Sequence, residues 1–366
     1  MKLPSITDYA NSVVHPICIK APSLQGGLIE KKGSGGALFF SGGFAVVFKF
    51  LVGGDTYALR CWHKVYGNAA KRSAAISTYL EQVNLPYFVG FNYIDKGVLV
   101  NGNILPIIKM DWVKGDSLKS YVKAHQNDSS KLKKLAEDFK SMVGILHAHQ
   151  ISHGDLQHDN ILVRRDGSLA LVDYDSLYVP ALKGEDDVIK GLPAYQHPAR
   201  AKEKFTSEHV DYFSELLIYV SILGLAHHPE LWSLMPLHKW EQILIGEEDI
   251  KNPQNSPLFL FFSKSPNKEL RKLSRRLAQW CLANTLSGHT ALEVVIQKET
   301  KFPWEGRTRK KPTPKVPPKS QILVDSKSIL GKTQKKKVGP LFPSTHKNND
   351  VDRETIFDKF KKKKKK

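Results

Sequence analysis

His153-Gly154-Asp155-Leu156-Gln157-His158-Asp159-Asn160-Ile161-Leu162-Val163, followed by Leu171-Val172-Asp173-Tyr174-Asp175, is the stretch on which the reading of this chain turns. It leaves a helical pattern over Ser130 to His149 and enters an apolar run, while Asp166-Gly167 supplies a turn that folds Ile161 to Val172 into a hairpin. The hairpin delivers Asp173, 18 residues after Asp155, to the same face as the polar loop. Two acids and an amide are thereby expected in one place.

The first motif resembles the catalytic loop of the protein-kinase-like superfamily, which includes aminoglycoside and other small-molecule kinases. The second resembles that family's Asp-Phe-Gly metal motif. The resemblance implies that Asp155 orients and deprotonates an attacking hydroxyl. It also implies that Asn160 and Asp173 hold Mg2+ between the phosphates of ATP. Asp175 replaces the family's glycine and either adds a carboxylate to the site or restricts the flip of the loop. Gly154 stands where many protein kinases carry arginine and Gln157 where they often carry lysine. Losing that arginine removes the usual partner of an activation-loop phosphate, so control by such phosphorylation is not expected.

Downstream, Gly191-Leu192-Pro193-Ala194-Tyr195-Gln196-His197-Pro198 resembles the end of an activation segment. Asp211 takes the place of the family's buried helix-start Asp, expected to cap its helix and hold the catalytic-loop backbone. Ala199 stands where the family has a glutamate, so the segment must be anchored differently. His-Gly-Asp is common in small-molecule kinases too; the Pro198 signature favours protein serine and threonine as acceptors.

Upstream the resemblance thins. Phe44 to Phe50 and Thr56 to Trp62 read as strands about a Gly53-Gly54-Asp55 turn, with another strand before Gly42. Ser41 to Phe48 aligns with the glycine-rich loop, so Gly42, Gly43 and Ala45 are assigned to the phosphates, although Phe40 and Ala45 replace its first and third glycines. Arg60 replaces the phosphate-binding lysine. A helix follows over Asn68 to Val83, but no acid lies at Ile76 to Tyr79, where the lysine's glutamate partner belongs, and Glu81 falls about a turn too late. Tyr87 to Ile94 and Val98 to Met110 read as strands, and Met110 to Asp116 resembles the hinge between lobes. Its backbone from Asp111 to Val113 would meet adenine, and Asp116 or Ser117 the ribose. Further helices are expected over Val210 to Ala226, Lys239 to Ile245 and Pro266 to Asn284.

The charge of +19 resembles a nucleic-acid or membrane signature until it is located. Residues 301–366 hold 21 Lys or Arg against 6 Asp or Glu, so +15 lies there and the body is nearly neutral. This segment is read as a disordered basic tail that meets a polyanion, either nucleic acid or an anionic membrane surface, or serves only as a solubilising end. Three scattered cysteines, Cys18, Cys61 and Cys281, suit neither a disulfide framework nor a zinc site, and a reducing cytoplasmic setting is expected. No signal peptide or membrane span is apparent. The expected architecture is α+β and bilobal. It comprises an N-terminal segment 1–24, a small antiparallel-sheet N-lobe 25–113, a mainly helical C-lobe 114–298 and the tail 299–366. The expected function is that of a bacterial-type serine/threonine kinase with a divergent N-lobe. Its alternatives are a small-molecule kinase and a pseudokinase serving as nucleotide-binding or scaffold module.

Overall fold

Gly53 and Gly54, at φ of 60° and 89°, turn β3 (Ala45–Val52) directly into β4 (Asp55–Trp62), and this hairpin seeds the larger sheet. A computed structural model describes residues 3–33, 35–64, 68–235 and 242–297. β1 (Leu28–Ile29) and β2 (Phe39–Ser41) both pair with β3, and β4 pairs with β6 (Asn103–Asp111), which pairs with β5 (Phe91–Val100). Every pairing is antiparallel.

Alternate residues of β3, namely Val46, Phe48 and Phe50, point into a core shared with Leu59, Cys61, Val98, Val100 and Ile107. The first residues join this core. A capping box of Ser5 and Asp8 starts α1 (Ile6–Val13), and Tyr9, Val13, Ile19, Ala21 and Leu24 are buried with the sheet. The Tyr9 hydroxyl donates to the Trp62 carbonyl at 3.0 Å.

The expected break between two strands at residues 95–97 is instead an irregularity inside β5, where the register shifts between Ile94 and Val98. Gly97 packs so tightly on Ile107 that an added Cβ would lie 2.3 Å from it. The true turn is Asn101-Gly102, with φ of 49° and 78°.

α2 (Ala69–Val83) meets β5 where the Ser77 hydroxyl donates to the Phe91 carbonyl at 2.9 Å, and it ends at Asn84, whose φ of 44° is left-handed. After β7 (Gly115–Ser117) the chain becomes helical: α3 (Leu118–Ala124), α4 (Ser129–Ala148) and α5 (Tyr212–His227) lead. Then come α6 (Glu230–Leu234), α7 (Glu247–Lys251), α8 (Pro257–Ser263), α9 (Lys268–Cys281) and α10 (Leu292–Gln297). α5 is buried all round, as befits the centre of a helical core. The helix expected over 239–245 is corrected in its described part, since Gln242 to Leu244 form bends and Ile245 is irregular; the remainder of it lies outside the described residues. The fold is α+β, and the tail expected over 299–366 also lies outside the described residues.

Candidate active site

A small sheet of β7, β8 (Ile161–Arg164) and β9 (Leu169–Leu171) frames the polar loop. β7 crosses β8 so closely that a Cβ on Gly115 would lie 2.7 Å from the Val163 carbonyl. Asp116 is exposed on this edge.

The loop 153–160 is held from below by Asp211, which is 1% exposed. Its carboxylate accepts the amides of His153 and Gly154, the latter at 3.0 Å. Asp211 occupies the N-cap position of α5, but its side chain bonds the loop and makes no cap, so only half of its expected role is seen. His153 Nδ1 accepts the Asp155 amide at 3.4 Å while its Nε2–H donates to the Val172 carbonyl at 2.9 Å, so the ring joins loop to hairpin. Gly154 has φ of 77° and lies against Ser176, whose carbonyl would sit 2.3 Å from any Cβ. Glycine in place of the family's arginine is therefore demanded by packing.

Asn160 is buried and donates to the Asp155 carbonyl at 2.8 Å and its carboxylate at 3.2 Å. The other Asp155 oxygen accepts the Leu192 amide at 2.8 Å. Burial raises the Asp155 carboxyl above the usual range, with nearby His153 and the Leu192 and Asn160 bonds opposing and the nearby Asp173 charge adding to it.

Asp173 follows β9 in a left-handed conformation, φ 64°. Arg60 on β4 donates through Nη1 to Asp173 at 2.9 Å and through Nη2 to Asp175. The loop, and not α2, supplies the arginine's acids. Glu81, at most a possible partner by its late position, is exposed near the end of α2 and is not one of the arginine's acids; Ile76 is buried without a charge. Asp155, Asn160, Asp173 and Arg60 are thus brought together.

The hairpin tip carries Gly42 and Gly43 exposed, with Ala45 buried at the start of β3. The Gly42 amide closes the turn on the Ala45 carbonyl at 2.9 Å, so that amide is already used. In the hinge, the Asp111 amide bonds the Gly90 carbonyl, the Asp111 carboxylate accepts the Gly90 amide at 2.9 Å, and the Trp112 amide meets the Thr56 carbonyl at 3.0 Å. Among the described residues the Val113 amide has no protein acceptor.

The segment 186–200 lacks the family's glutamate and closes on itself. Arg200, 1% exposed, donates to both carboxylate oxygens of buried Asp187 at 3.2 Å and to Gln196 at 2.6 Å. Lys190 also meets Asp187 at 3.1 Å, so it is loss of Asp187 that would leave the buried Arg200 charge without its carboxylate. His197 accepts the Ala199 amide on Nδ1 at 3.1 Å and donates to the Trp280 carbonyl of α9 at 2.9 Å. Tyr195 bonds His158 at 2.9 Å, tying the segment to the catalytic loop. None of these anchors was foreseen.

A family model described as a protein kinase domain matches residues 41–293. The chain belongs to the protein kinase domain family. Its kinase domain is 26% identical over 170 residues to cAMP-dependent protein kinase catalytic subunit 3 of Drosophila melanogaster, covering 46% of this chain and 27% of that protein. It is 27% identical over 125 residues to serine/threonine-protein kinase 1 of Heliothis zea nuclear polyhedrosis virus, covering 34% and 45%. It is 25% identical over 219 residues to mouse serine/threonine-protein kinase PAK 1, covering 57% and 39%. The kinase-domain match thus spans less than half the length of these curated relatives. Among the described residues, no helix is long and apolar enough to cross a membrane.

Proposed function

We propose that this kinase domain transfers the γ-phosphate of ATP to a hydroxyl, with protein serine and threonine as acceptors. The convergence of Asp155, Asn160 and Asp173 around one loop is the observation that carries the reading. Asp155 is the general base: burial raises its carboxyl toward the working range, and Asn160 and Leu192 fix its direction. Val113 offers an unused amide for adenine beside the Asp111 backbone, and Asp116 lies on the exposed edge suited to a ribose. Gly43 lies at the exposed tip suited to phosphates, beside Gly42 and Ala45.

Asn160 and Asp173 offer oxygen donors only, and among the described residues no cluster of three acids, histidines or cysteines could enclose a metal. This fits Mg2+, which takes one or two protein ligands and completes its shell with waters and phosphates. When bound it would neutralise charge between the phosphates; Asn160 and Asp173 would hold it.

Two of the named relatives are serine/threonine-protein kinases, which supports that acceptor class. Free cysteines, with Cys61 buried and its thiol raised by that burial, suit a reducing cytoplasmic setting. Residues 301–366 are proposed as a polyanion contact on their charge alone.

A second reading, a nucleotide-binding scaffold without transfer, is favoured by Arg60 already pairing with Asp173 and Asp175. Incubation with labelled ATP and Mg2+, alone and with a generic basic protein, separates the two beside an Asp155→Asn control. Label on serine or threonine from the wild type alone supports transfer. Nucleotide binding without label in any arm leaves the scaffold.

A further inference from the structure

Arg60 and the loop after β9 form a unit to which α2 brings no carboxylate. Nη1 of Arg60 meets Asp173 at 2.9 Å and Nη2 meets Asp175, yet the two acids differ in setting. The Asp173 side chain is 46% exposed, whereas those of Arg60 and Asp175 are 11% and 12% exposed. Between the acids, Tyr174 is buried: its hydroxyl donates to the Leu171 carbonyl at 2.7 Å and accepts the Val89 amide at 2.9 Å. Its ring packs on Phe88 and Phe91. The backbone that carries Asp175 is therefore pinned to the sheet side of the site.

The buried residues of α2 are Arg72, Ser73, Ile76 and Leu80, with no carboxylate among them. Arg72 turns instead to the Leu177 carbonyl at 3.2 Å. A helix with this face has nothing to offer a cation on β4.

We infer that Asp175 is a positioning residue that aims Arg60 at the nucleotide phosphates, doing from the loop what no helix carboxylate does here, and that it is not a metal ligand. The dry acid holds the guanidinium while the open one, Asp173, stays available at the site. A guanidinium can serve both acids at once because its terminal nitrogens diverge, whereas an ammonium presents a single point of charge. Arginine at position 60 and aspartate at position 175 thus explain each other.

The inference rests on the nucleotide-binding reading, and a nucleotide-free measurement keeps the two apart. Arg60→Lys, Asp175→Asn and the double variant are compared for MgADP affinity by calorimetry, and for hydrogen exchange of residues 171–179 without nucleotide. Each single change is expected to weaken MgADP by roughly tenfold, as for loss of one charged hydrogen-bond partner, and the double by no more than either. Both singles should also speed exchange in 171–179 while α2 is unchanged. Additive losses, or unchanged exchange in that segment, overturn the inference. Absence of MgADP binding by the wild type refutes the nucleotide reading and the phosphate role together, and the exchange arm still decides whether the pair fixes the loop.

Discussion

The Asp211 carboxylate accepts the Gly154 amide at 3.0 Å across 57 residues of sequence, so the start of a core helix sets the shape of the catalytic loop. Asp211 is buried and its charge is balanced by two backbone donors, the His153 amide being the other. Asp211→Asn keeps the volume but points an amide N–H at those donors or forfeits one bond. The expected loss is about 1.5 to 3 kcal/mol of stability. Urea midpoints should fall accordingly, and turnover should fall further than nucleotide affinity because the loop, not the hinge, is released.

The loop was legible because kinase-like chemistry places its groups at short, fixed spacings: Asp155 and Asn160 lie five residues apart, and one hairpin separates them from Asp173. The partners of Arg60 were not, since they lie 113 and 115 residues away and no periodicity encodes the choice. Asp187 and Arg200 were invisible for another reason: in a segment without regular structure, nothing local says which ion pair will be dry. The β5–β6 turn was misplaced because Asp95-Lys96-Gly97 has turn composition, while the Gly97 contact with Ile107 reveals a bulge only after folding. Asn101-Gly102, a stronger hairpin signal, was overlooked.

Asp155→Asn should lower phosphate transfer by roughly 10²- to 10⁴-fold, the range for loss of a general base, with nucleotide affinity little changed. Asp173→Ala should remove Mg2+-dependent transfer while leaving the fold intact, because its side chain is 46% exposed and packs no core. Circular dichroism and calorimetry with and without Mg2+ check both. Wild-type turnover in Asp173→Ala would mean that the metal assignment is wrong.

Deleting residues 301–366 removes +15 of the charge and no residue assigned to the nucleotide site. ATP affinity should be unchanged. If counterion release dominates, the full chain's affinity for DNA or RNA should fall steeply between about 50 and 200 mM salt, and the truncated chain should bind weakly at both. Ile356, Phe357 and Phe360 would add a salt-resistant component on anionic vesicles, exposed by changing both phenylalanines to serine. Equal nucleic-acid affinity of the two forms would take the contact away from this segment.

Stability should also report a histidine that sits between two glutamates. His147 on α4 donates through Nε2 to Glu215 of α5 at 2.8 Å and through Nδ1 to Glu293 of α10 at 3.0 Å, with the Tyr212 ring 5.1 Å away. Burial alone lowers the imidazole, but the bonds and charges of Glu215 and Glu293 outweigh it and raise its pKa from 6.5 to about 9. A raised folded-state value means that the unfolded chain gives up its proton first as pH rises. The stabilisation is fully present below 6.5 and is lost as pH rises through about 9. Glu215, raised to about 7 by burial against the opposing His147 bond, is also most stabilising when protonated, but its losses fall over 4.5 to about 7. The decline above 7 therefore carries the His147 contribution, to which the Cys61 and Cys281 thiols, also raised by burial, add toward the top of the range in both proteins. Urea midpoints measured from about pH 7 to 9.5 should decline in the wild type, whereas His147→Gln should start lower and lack that part of the decline. Parallel slopes in the two proteins would show that His147 is not charged between its glutamates.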